Sequence, residues 1–161
     1  MLYRSELLYM REIESDHVDN WLQAVDRNLE LWTTNLSRAR VIDIGCRPAG
    51  IMLWMPLPEG VAVLVTLHVL PQFRRQGLGR CLLEQFVSDA SASGSSTLNL
   101  GVHKNNPARE LYELAGFERT HADSEYLYYS MAVPASSSAD GSRSLPERPR
   151  LRSIAPGSGR A

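Results

Sequence analysis

The chain of 161 residues has few cysteines, no long apolar run and almost no net charge. Its two cysteines, Cys46 and Cys81, are far apart and lie in no CxxC or histidine-rich pattern, so we expect neither a disulfide framework nor a zinc site. No apolar stretch approaches the ~18 residues that a membrane-spanning helix needs, and the first residues lack the apolar core of a secretory signal. The sequence therefore predicts a cytoplasmic protein without a membrane partner.

A net charge of −1 argues against wholesale binding to nucleic acid. The composition, 43% hydrophobic and 22% charged, is that of an ordinary globular domain. After Val133 it changes: residues 134–161 are rich in Ser, Pro, Gly and Arg and contain no aromatic residue, which is typical of a disordered tail. We therefore predict one domain over residues 1–133 and a tail over 134–161. The tail's five arginines against two acidic residues fit a solvated appendage better than a tether for an acidic surface.

Hydrophobic periodicity predicts alternating strands and helices over the domain. The predicted strands cover 6–13, 40–46, 50–55, 60–70, 97–102, 117–120 and 126–133. A first helix begins near Ser15 and presents apolar residues at Val18, Trp21, Leu22, Val25 and Leu29. Further helices cover 78–91 and 107–115, and residues 28–37 fit either a short helix or a loop. The order predicts a mixed α/β sheet of about seven strands with about four helices.

The chain is organised around a basic, glycine-containing turn, Arg74-Arg75-Gln76-Gly77-Leu78-Gly79, between the buried strand of 60–70 and the helix of 78–91. The first backbone N–H groups of a helix have no intrahelical partner and bind anions, so a pyrophosphate is the expected ligand. A dinucleotide-binding turn needs a third glycine where this chain has Leu82. A Walker loop needs Lys-Ser/Thr where it has Arg80-Cys81. The turn is thus a phosphate site of another type.

A second motif follows, Asn105-x-x-Ala108-x-x-x-Tyr112-x-x-x-Gly116-Phe117. Together with Arg74-x-x-Gly77-x-Gly79, it resembles the GNAT superfamily of N-acetyltransferases in order and spacing. The resemblance is clear over residues 60–118 and extends more weakly over 6–133. It implies a mostly antiparallel sheet that is splayed between the family's fourth and fifth strands, which correspond here to residues 60–70 and 97–102.

The resemblance also implies that acetyl-CoA is the cofactor. The backbone of residues 67–69 would pair with the pantetheine arm, the N–H groups of residues 75–80 would hold the pyrophosphate, and Asn105, or alternatively Asn106, would contact the arm. The implied cofactor-binding residues are Leu67, His68, Val69, Arg74, Arg75, Gln76, Gly77, Leu78, Gly79, Arg80 and Asn105. Tyr112 matches the family's general acid, which protonates the departing thiolate.

The expected general base is missing. The positions where the family often carries Glu or His are Val63, Val65 and Leu67 here, and all three are apolar. His68, His103, or a water chain to Glu30 or Asp43 could replace it, so the base stays unassigned. Strand alternation predicts that His68 points away from the face of residues 63, 65 and 67, as a structural histidine.

The implied function is transfer of an acetyl group from acetyl-CoA to a primary amine of a small molecule or a peptide, by direct attack in a ternary complex. The missing base motivates an alternative, a degenerate acyl-CoA-binding sensor or scaffold without turnover. Pairing of the final strands would allow a homodimer. Candidate residues for the acceptor pocket are Asn28, Glu30, Trp32, Tyr128 and Tyr129, and core packing fits Trp32 and the two tyrosines equally well.

Overall fold

The computed structural model describes residues 9–13, 25–133 and 150–154. Seven strands form one sheet: β1 (Arg40–Ile44), β2 (Arg47–Leu57), β3 (Val61–Val69), β4 (Thr97–His103), β5 (Glu118–Ala122), β6 (Tyr126–Ala132) and β7 (Arg150–Ser153). The helices are α1 (Val25–Thr34), α2 (Leu78–Ala92) and α3 (Arg109–Leu114), and residues 9–13 form a further helical turn. None of the described helices is both long enough and apolar enough to cross a membrane.

The strands lie in the order β5-β6-β4-β3-β2-β1-β7. Only β3 and β4 are parallel, and every other neighbouring pair is antiparallel. The prediction of a mixed, mostly antiparallel sheet of about seven strands with about four helices is confirmed. The strands of the predicted hairpins are also present, because apolar runs bounded by Gly and Pro specify hairpins locally, but β2 begins at Arg47, so the first hairpin turns at residues 45–46 and not, as predicted, between residues 46 and 50.

One of the seven strands is not the predicted one. Residues 9–13 are helical, so the strand predicted over 6–13 is wrong for this part, and residues 1–8 and 14–24, with most of the predicted first helix, lie outside the described residues. Tyr9 and Ile13 are four positions apart, a spacing that suits a helix as well as a strand, and so short an apolar run does not distinguish the two. Within α1, Leu29 is 55% exposed and not on a buried face as predicted.

The seventh strand comes instead from the predicted tail. Strand β7 pairs antiparallel with β1, Leu151 packs against the core, and Arg152 Nε contacts Asp43 Oδ2 at 2.7 Å. The prediction of a structureless tail is therefore wrong for residues 150–153. Arginines on either side of Leu151 give the alternation of an edge strand, which the overall composition concealed. Residues 134–149 and 155–161 lie outside the described part, and the domain boundary at Val133 stays a prediction.

Helix α2 covers one face of β2 and β3 and forms the core with them. Phe86 and Leu82 are fully buried, and the Phe86 ring lies 6.2 Å from the Trp54 ring. Each such side chain contributes ~1.5–3 kcal/mol by leaving water. Gly50 permits the close approach, since a Cβ there would lie 2.8 Å from the His68 carbonyl oxygen and 3.1 Å from Leu82 Cδ1.

Strands β3 and β4 separate halfway along their length. They pair only from Val61 to Leu64 on β3, although β3 continues to Val69 and β4 to His103. At the same place the register of β2 with β3 shifts, leaving Val65 as an extra residue. A bulge bends its strand and increases its twist, so Val65 gives the physical reason for the divergence. The predicted splay is confirmed.

The bulge also changes which residues of β3 share a face. Cross-strand partners lie on the same side of a sheet. One face carries the pairs Met55–Val63, Leu53–Thr66 and Ile51–His68, and the face under α2 carries Trp54–Leu64, Met52–Leu67 and Gly50–Val69. The prediction that His68 points away from the face of residues 63, 65 and 67 is therefore wrong for Val63, which shares the face of His68, and correct only for Leu67.

Candidate active site

A cleft of about 380 Å³ opens where β3 leaves β4. Its walls are the open end of β3, the turn that starts α2, the segment around α3, and Tyr9 from the helical turn of residues 9–13. The lining residues are Tyr9, Leu67, Val69, Phe73, Arg74, Arg75, Gly77, Leu78, Gly79, Asn106, Pro107, Ala108, Glu110, Leu111 and Leu114. The structure thus brings together the strand end, the glycine turn and the second motif.

The turn before α2 presents a row of backbone N–H groups. The first bond of the helix runs from Cys81 N to Gly77 O, and no backbone group of the described chain accepts a hydrogen bond from the N–H groups of residues 75–80. Arg75 and Gly77 have positive φ angles of 60° and 80°, which only glycine adopts at little cost. Because the positive end of the helix dipole lies here too, the turn can bind an anion such as a pyrophosphate.

Gly79 keeps the cleft open on the α3 side. A Cβ at Gly79 would lie 3.3 Å from Leu111 Cδ2 and 3.9 Å from Leu67 Cδ2, closer to Leu111 than most side chains pack. Helix α2 can therefore begin directly beneath both the open end of β3 and α3. A larger residue would fill the space between the anion site and the strand edge.

The arginines of the motif differ in their placement. Arg75 and Arg80 are exposed, and Arg80 Nε contacts Glu84 Oε1 at 2.8 Å. Arg74 turns inward instead: its Nε donates to the Val69 carbonyl at 3.0 Å, and its Cζ lies 3.9 Å from the centroid of the Tyr9 ring. Arg74 is thus part of the inner wall of the cleft, while Arg75 and Arg80 face solvent at the start of α2.

Asn106, and not Asn105, lies on the cleft wall. Its Oδ1 accepts a hydrogen bond from the Ala108 N–H at 3.0 Å and lies 3.5 Å from the Tyr9 hydroxyl. Asn105 is exposed, and its backbone N–H donates to His103 Nδ1 at 3.2 Å. Of the two asparagines, Asn106 thus lines the cleft, and its side chain holds the turn that leads into α3.

Tyr112, the predicted general acid, is not among the residues that line the cleft. Its side chain is only 6% exposed and packs edge-on against Phe117, with ring centroids 6.4 Å apart. Its helix, α3, does border the cleft through Glu110, Leu111 and Leu114. The catalytic role of Tyr112 therefore stays a prediction.

The two candidate histidines lie on the same face of the sheet, on either side of the splay. On β3, His68 lies on the same face as Val63, and Val63 pairs with Asn99 of β4. His103 lies four residues beyond Asn99 along β4 and on the same face. Burial, and secondly the charge of Arg74, lower the pKa of His68 to about 4, so its ring is neutral at pH 7. His103 is buried and meets the edge of the Tyr126 ring at 5.5 Å. Asp43 is engaged by Arg152, and Glu30 is exposed on α1.

The two consecutive tyrosines of β6, Tyr128 and Tyr129, have different surroundings because neighbouring strand residues point to opposite faces. Tyr129 is 2% exposed and donates to Glu113 Oε1 at 2.6 Å, and burial and Glu113 raise its pKa. It belongs to the core, which is the alternative to an acceptor pocket that the sequence leaves open for this residue. Tyr128 is half-buried, stacks on His121 at 4.3 Å and donates to Asp123 Oδ2. Backbone N–H groups of Tyr126 and Glu125 lower the pKa of Asp123 to about 2.

Sequence reasoning missed Tyr9. Its assignment to a strand gave no reason to place it at the cleft, and only the spacing of Tyr9 and Ile13 pointed to a helix. The hydrophobic side chains of Phe73, Leu111 and Leu114 were missed as cleft residues for a different reason. They lie outside the motifs' fixed positions, and their place in the wall depends on how α2 and α3 approach each other.

Comparison with known proteins agrees with this geometry. The family model described as "Acetyltransferase (GNAT) family" matches residues 7–117. The [Ribosomal protein bS18]-alanine N-acetyltransferase of Escherichia coli (strain K12) is 44% identical over 57 residues, which are 35% of this chain and 38% of the relative. The uncharacterized N-acetyltransferase YhfO of Bacillus subtilis (strain 168) is 36% identical over 76 residues, 47% of this chain and 49% of the relative. Each match thus spans less than half of the relative's length.

Among solved structures, PH1933 from Pyrococcus horikoshii OT3 superposes with a TM-score of 0.64 at 21% identity. The superposition covers 83% of this chain and 87% of that one. At this identity the likeness concerns the fold alone. It shows that the two chains share an overall fold over the part that superposes.

Proposed function

Because this chain belongs to the acetyltransferase (GNAT) family, we propose that it transfers the acetyl group of acetyl-CoA to a primary amine by direct attack in a ternary complex. The observation that carries this proposal is the cleft at the splay, where an anion-binding turn and an unpaired strand edge adjoin. A turn of N–H groups suits a pyrophosphate. An open strand edge suits an extended arm that contains amides. Acetyl-CoA contains both a pyrophosphate and an extended arm with amides.

The residues of the cleft fit this cofactor. The N–H groups of residues 75–80 would hold the pyrophosphate, residues 67–69 and Asn106 would hold the pantetheine arm, and the absence of a side chain at Gly79 leaves room between them. When bound, acetyl-CoA supplies an acetyl group activated as a thioester. A backbone N–H in the open half of β3 would polarise the thioester carbonyl as an oxyanion donor.

Proton removal from the acceptor amine is assigned to His103 in preference to His68. Both histidines lie on the face opposite α2, but a pKa of about 4 makes His68 a weak base. His103 Nδ1 accepts a hydrogen bond from the Asn105 N–H, which fixes the orientation of the ring. Tyr112 remains the proposed proton donor to the departing thiolate.

The acceptor is proposed to be a primary amine of a small molecule or of a peptide. The Escherichia coli relative acts on an alanine of a ribosomal protein, which makes a peptide beginning with alanine one member of the acceptor panel. A second candidate function is an acyl-CoA-binding sensor or scaffold without turnover. Two observations favour it: Val63, Val65 and Leu67 are apolar, and Tyr112 does not line the cleft.

One assay separates the two functions. Thiol release from acetyl-CoA would be measured with small amines and peptides, for the wild type and for Tyr112→Phe, with Tyr129→Phe as the matched control because Tyr129 lies in the core. We expect turnover with at least one amine and a fall in kcat of ~10²-fold for Tyr112→Phe alone. Binding of CoA without turnover on any amine would favour the sensor, and absence of CoA binding would contradict both candidates.

A cytoplasmic location and a homodimer belong to the same proposal. Strand β5 is an exposed edge of the sheet, and an exposed edge can pair with the same edge of a second copy. Light scattering after gel filtration would give the mass in solution, and cell fractionation would give the location. A monomeric mass at micromolar concentration would contradict the dimer.

A further inference from the structure

Arg74 is held on two sides at the inner end of the cleft. Its Nε donates to the Val69 carbonyl at 3.0 Å, and its guanidinium carbon lies 3.9 Å from the centroid of the Tyr9 ring. The Nη2 atom is buried and has no hydrogen-bond partner among the described residues. The guanidinium is therefore fixed between a backbone carbonyl and an aromatic face, while one of its nitrogens lacks an acceptor.

The ring of Tyr9 is the electrostatic partner of this cation. A buried charged nitrogen without an acceptor is unfavourable, and the negative face of an aromatic ring offsets that cost when the cation lies over it. The Tyr9 hydroxyl contributes little, because it reaches Asn106 Oδ1 only at 3.5 Å and that oxygen already accepts the Ala108 N–H at 3.0 Å. The aromatic face of Tyr9, not its hydroxyl, keeps Arg74 in place.

The contact changes what the open strand edge offers to a ligand. Val69 lies in the half of β3 that has no pairing with β4. Its carbonyl accepts a hydrogen bond from Arg74, so one of its two lone pairs is occupied and the guanidinium lies beside the strand edge at that level. An arm lying along the edge meets the Arg74 side chain there, and we expect its hydrogen bonds to form with the residues before the Val69 carbonyl.

We propose that Tyr9 is a positioning residue of the cofactor cleft: its ring holds Arg74 on the Val69 carbonyl and so sets the hydrogen-bonding pattern that β3 presents to the pantetheine arm. The inference rests on the proposed function, because it takes CoA as the ligand. His68 lies close to this contact: its ring centroid is 6.2 Å from that of Tyr9, and the charge of Arg74 adds to burial in lowering its pKa. The pKa of His68 therefore responds both to loss of the Tyr9 ring and to displacement of Arg74, with or without a ligand.

The test compares Tyr9→Leu with Tyr9→Phe, and Arg74→Lys with the wild type. Leucine removes the aromatic face, phenylalanine keeps it, and lysine keeps the charge but cannot stack and bond to a carbonyl with the same planar fork. Calorimetry with CoA should show affinity reduced about tenfold for Tyr9→Leu and Arg74→Lys. Tyr9→Phe should bind within about twofold of the wild type. The double variant Tyr9→Leu/Arg74→Lys should bind no more weakly than either single variant, because both remove one contact.

A second readout does not depend on the cofactor. In an NMR titration of the histidine ring protons, the pKa of His68 should rise above about 4 toward 6.5 in Tyr9→Leu and stay unchanged in Tyr9→Phe. Failure of the wild type to bind CoA would contradict the proposed function, while the His68 titration would still test the contact. If the wild type binds CoA and Tyr9→Leu matches it in affinity and in His68 pKa, the inference alone is overturned. A loss of CoA affinity in Tyr9→Phe equal to that in Tyr9→Leu would also overturn the inference, since the Tyr9 hydroxyl would then hold Arg74 in place.

Discussion

The two halves of β3 differ in their strand pairing and in their surroundings. From Val61 to Leu64 the strand is paired on both sides, with β2 and β4, and Ala62 and Leu64 are buried. From Thr66 to Val69 it is paired only with β2, and Leu67 and Val69 line the cleft. One inserted residue, Val65, separates the halves. We therefore expect the first segment to serve mainly stability and the second mainly ligand binding, so a substitution on either side of the bulge should affect mainly one of them.

The largest effect is expected from Leu64→Ala in the closed half. Leu64 is buried in the core on the face of β3 that α2 covers, and truncating a buried leucine leaves a cavity that costs ~2–4 kcal/mol of unfolding free energy. The matched variant, Leu67→Ala, lies three residues along the same strand on the same face but is only half-buried. Leu67→Ala should lower the unfolding free energy by less than ~1.5 kcal/mol. It should weaken CoA binding more than Leu64→Ala does. Urea titration and calorimetry measure the two quantities, and equal losses of stability would contradict a division at Val65.

A smaller effect concerns His68 in the open half. Its pKa is lowered in the folded state to about 4, against 6.5 for a free histidine, so the unfolded chain binds more protons between these values. Neutral His68 makes its full contribution to the unfolding free energy above pH 6.5, and this contribution is lost as the pH falls toward 4. We expect the unfolding free energy to fall by ~2 kcal/mol across this range.

The control for that prediction is His68→Gln, whose stability should vary less between pH 6.5 and 4. The carboxylate of Asp123 has a pKa lowered from 3.8 to about 2, so its contribution to stability is complete above pH 3.8 and is lost only below it, and the two groups change the stability in separate pH ranges. Denaturant titrations at several pH values would measure both. The same slope in His68→Gln as in the wild type would show that another group is responsible.

Local chemistry made some of these features predictable from the sequence. Pro71 and Gly77 delimit the turn, and the apolar positions of residues 78–90 repeat at the helical period, so the anion site and α2 follow from neighbouring residues. The bulge at Val65 depends on the register with β2, which no local pattern encodes. The pairing of β7 joins Arg152 to Asp43 across 109 positions of sequence. Tyr9 lies at the cleft through contacts with Arg74, His68 and Asn106, all distant in the sequence, so its place could not be read from its own surroundings in the chain.

The smallest effect on stability is expected from Gly77→Ala, next to the open half. Gly77 has a φ of 80°, and alanine in that region costs ~1–2 kcal/mol or moves the turn to a negative φ. Among the residues that the structure describes, nothing lies within 4 Å of an added Cβ, so the change acts through the backbone and not through a clash. If the turn moves, the N–H groups of residues 75–80 no longer converge, and CoA affinity should fall by at least about tenfold while stability falls little.

The matched control is Gly94→Ala, which also has a positive φ and open space but lies after α2, away from the cleft. Equal CoA affinity in both variants would separate the anion site from the turn and place it elsewhere along the open half of β3.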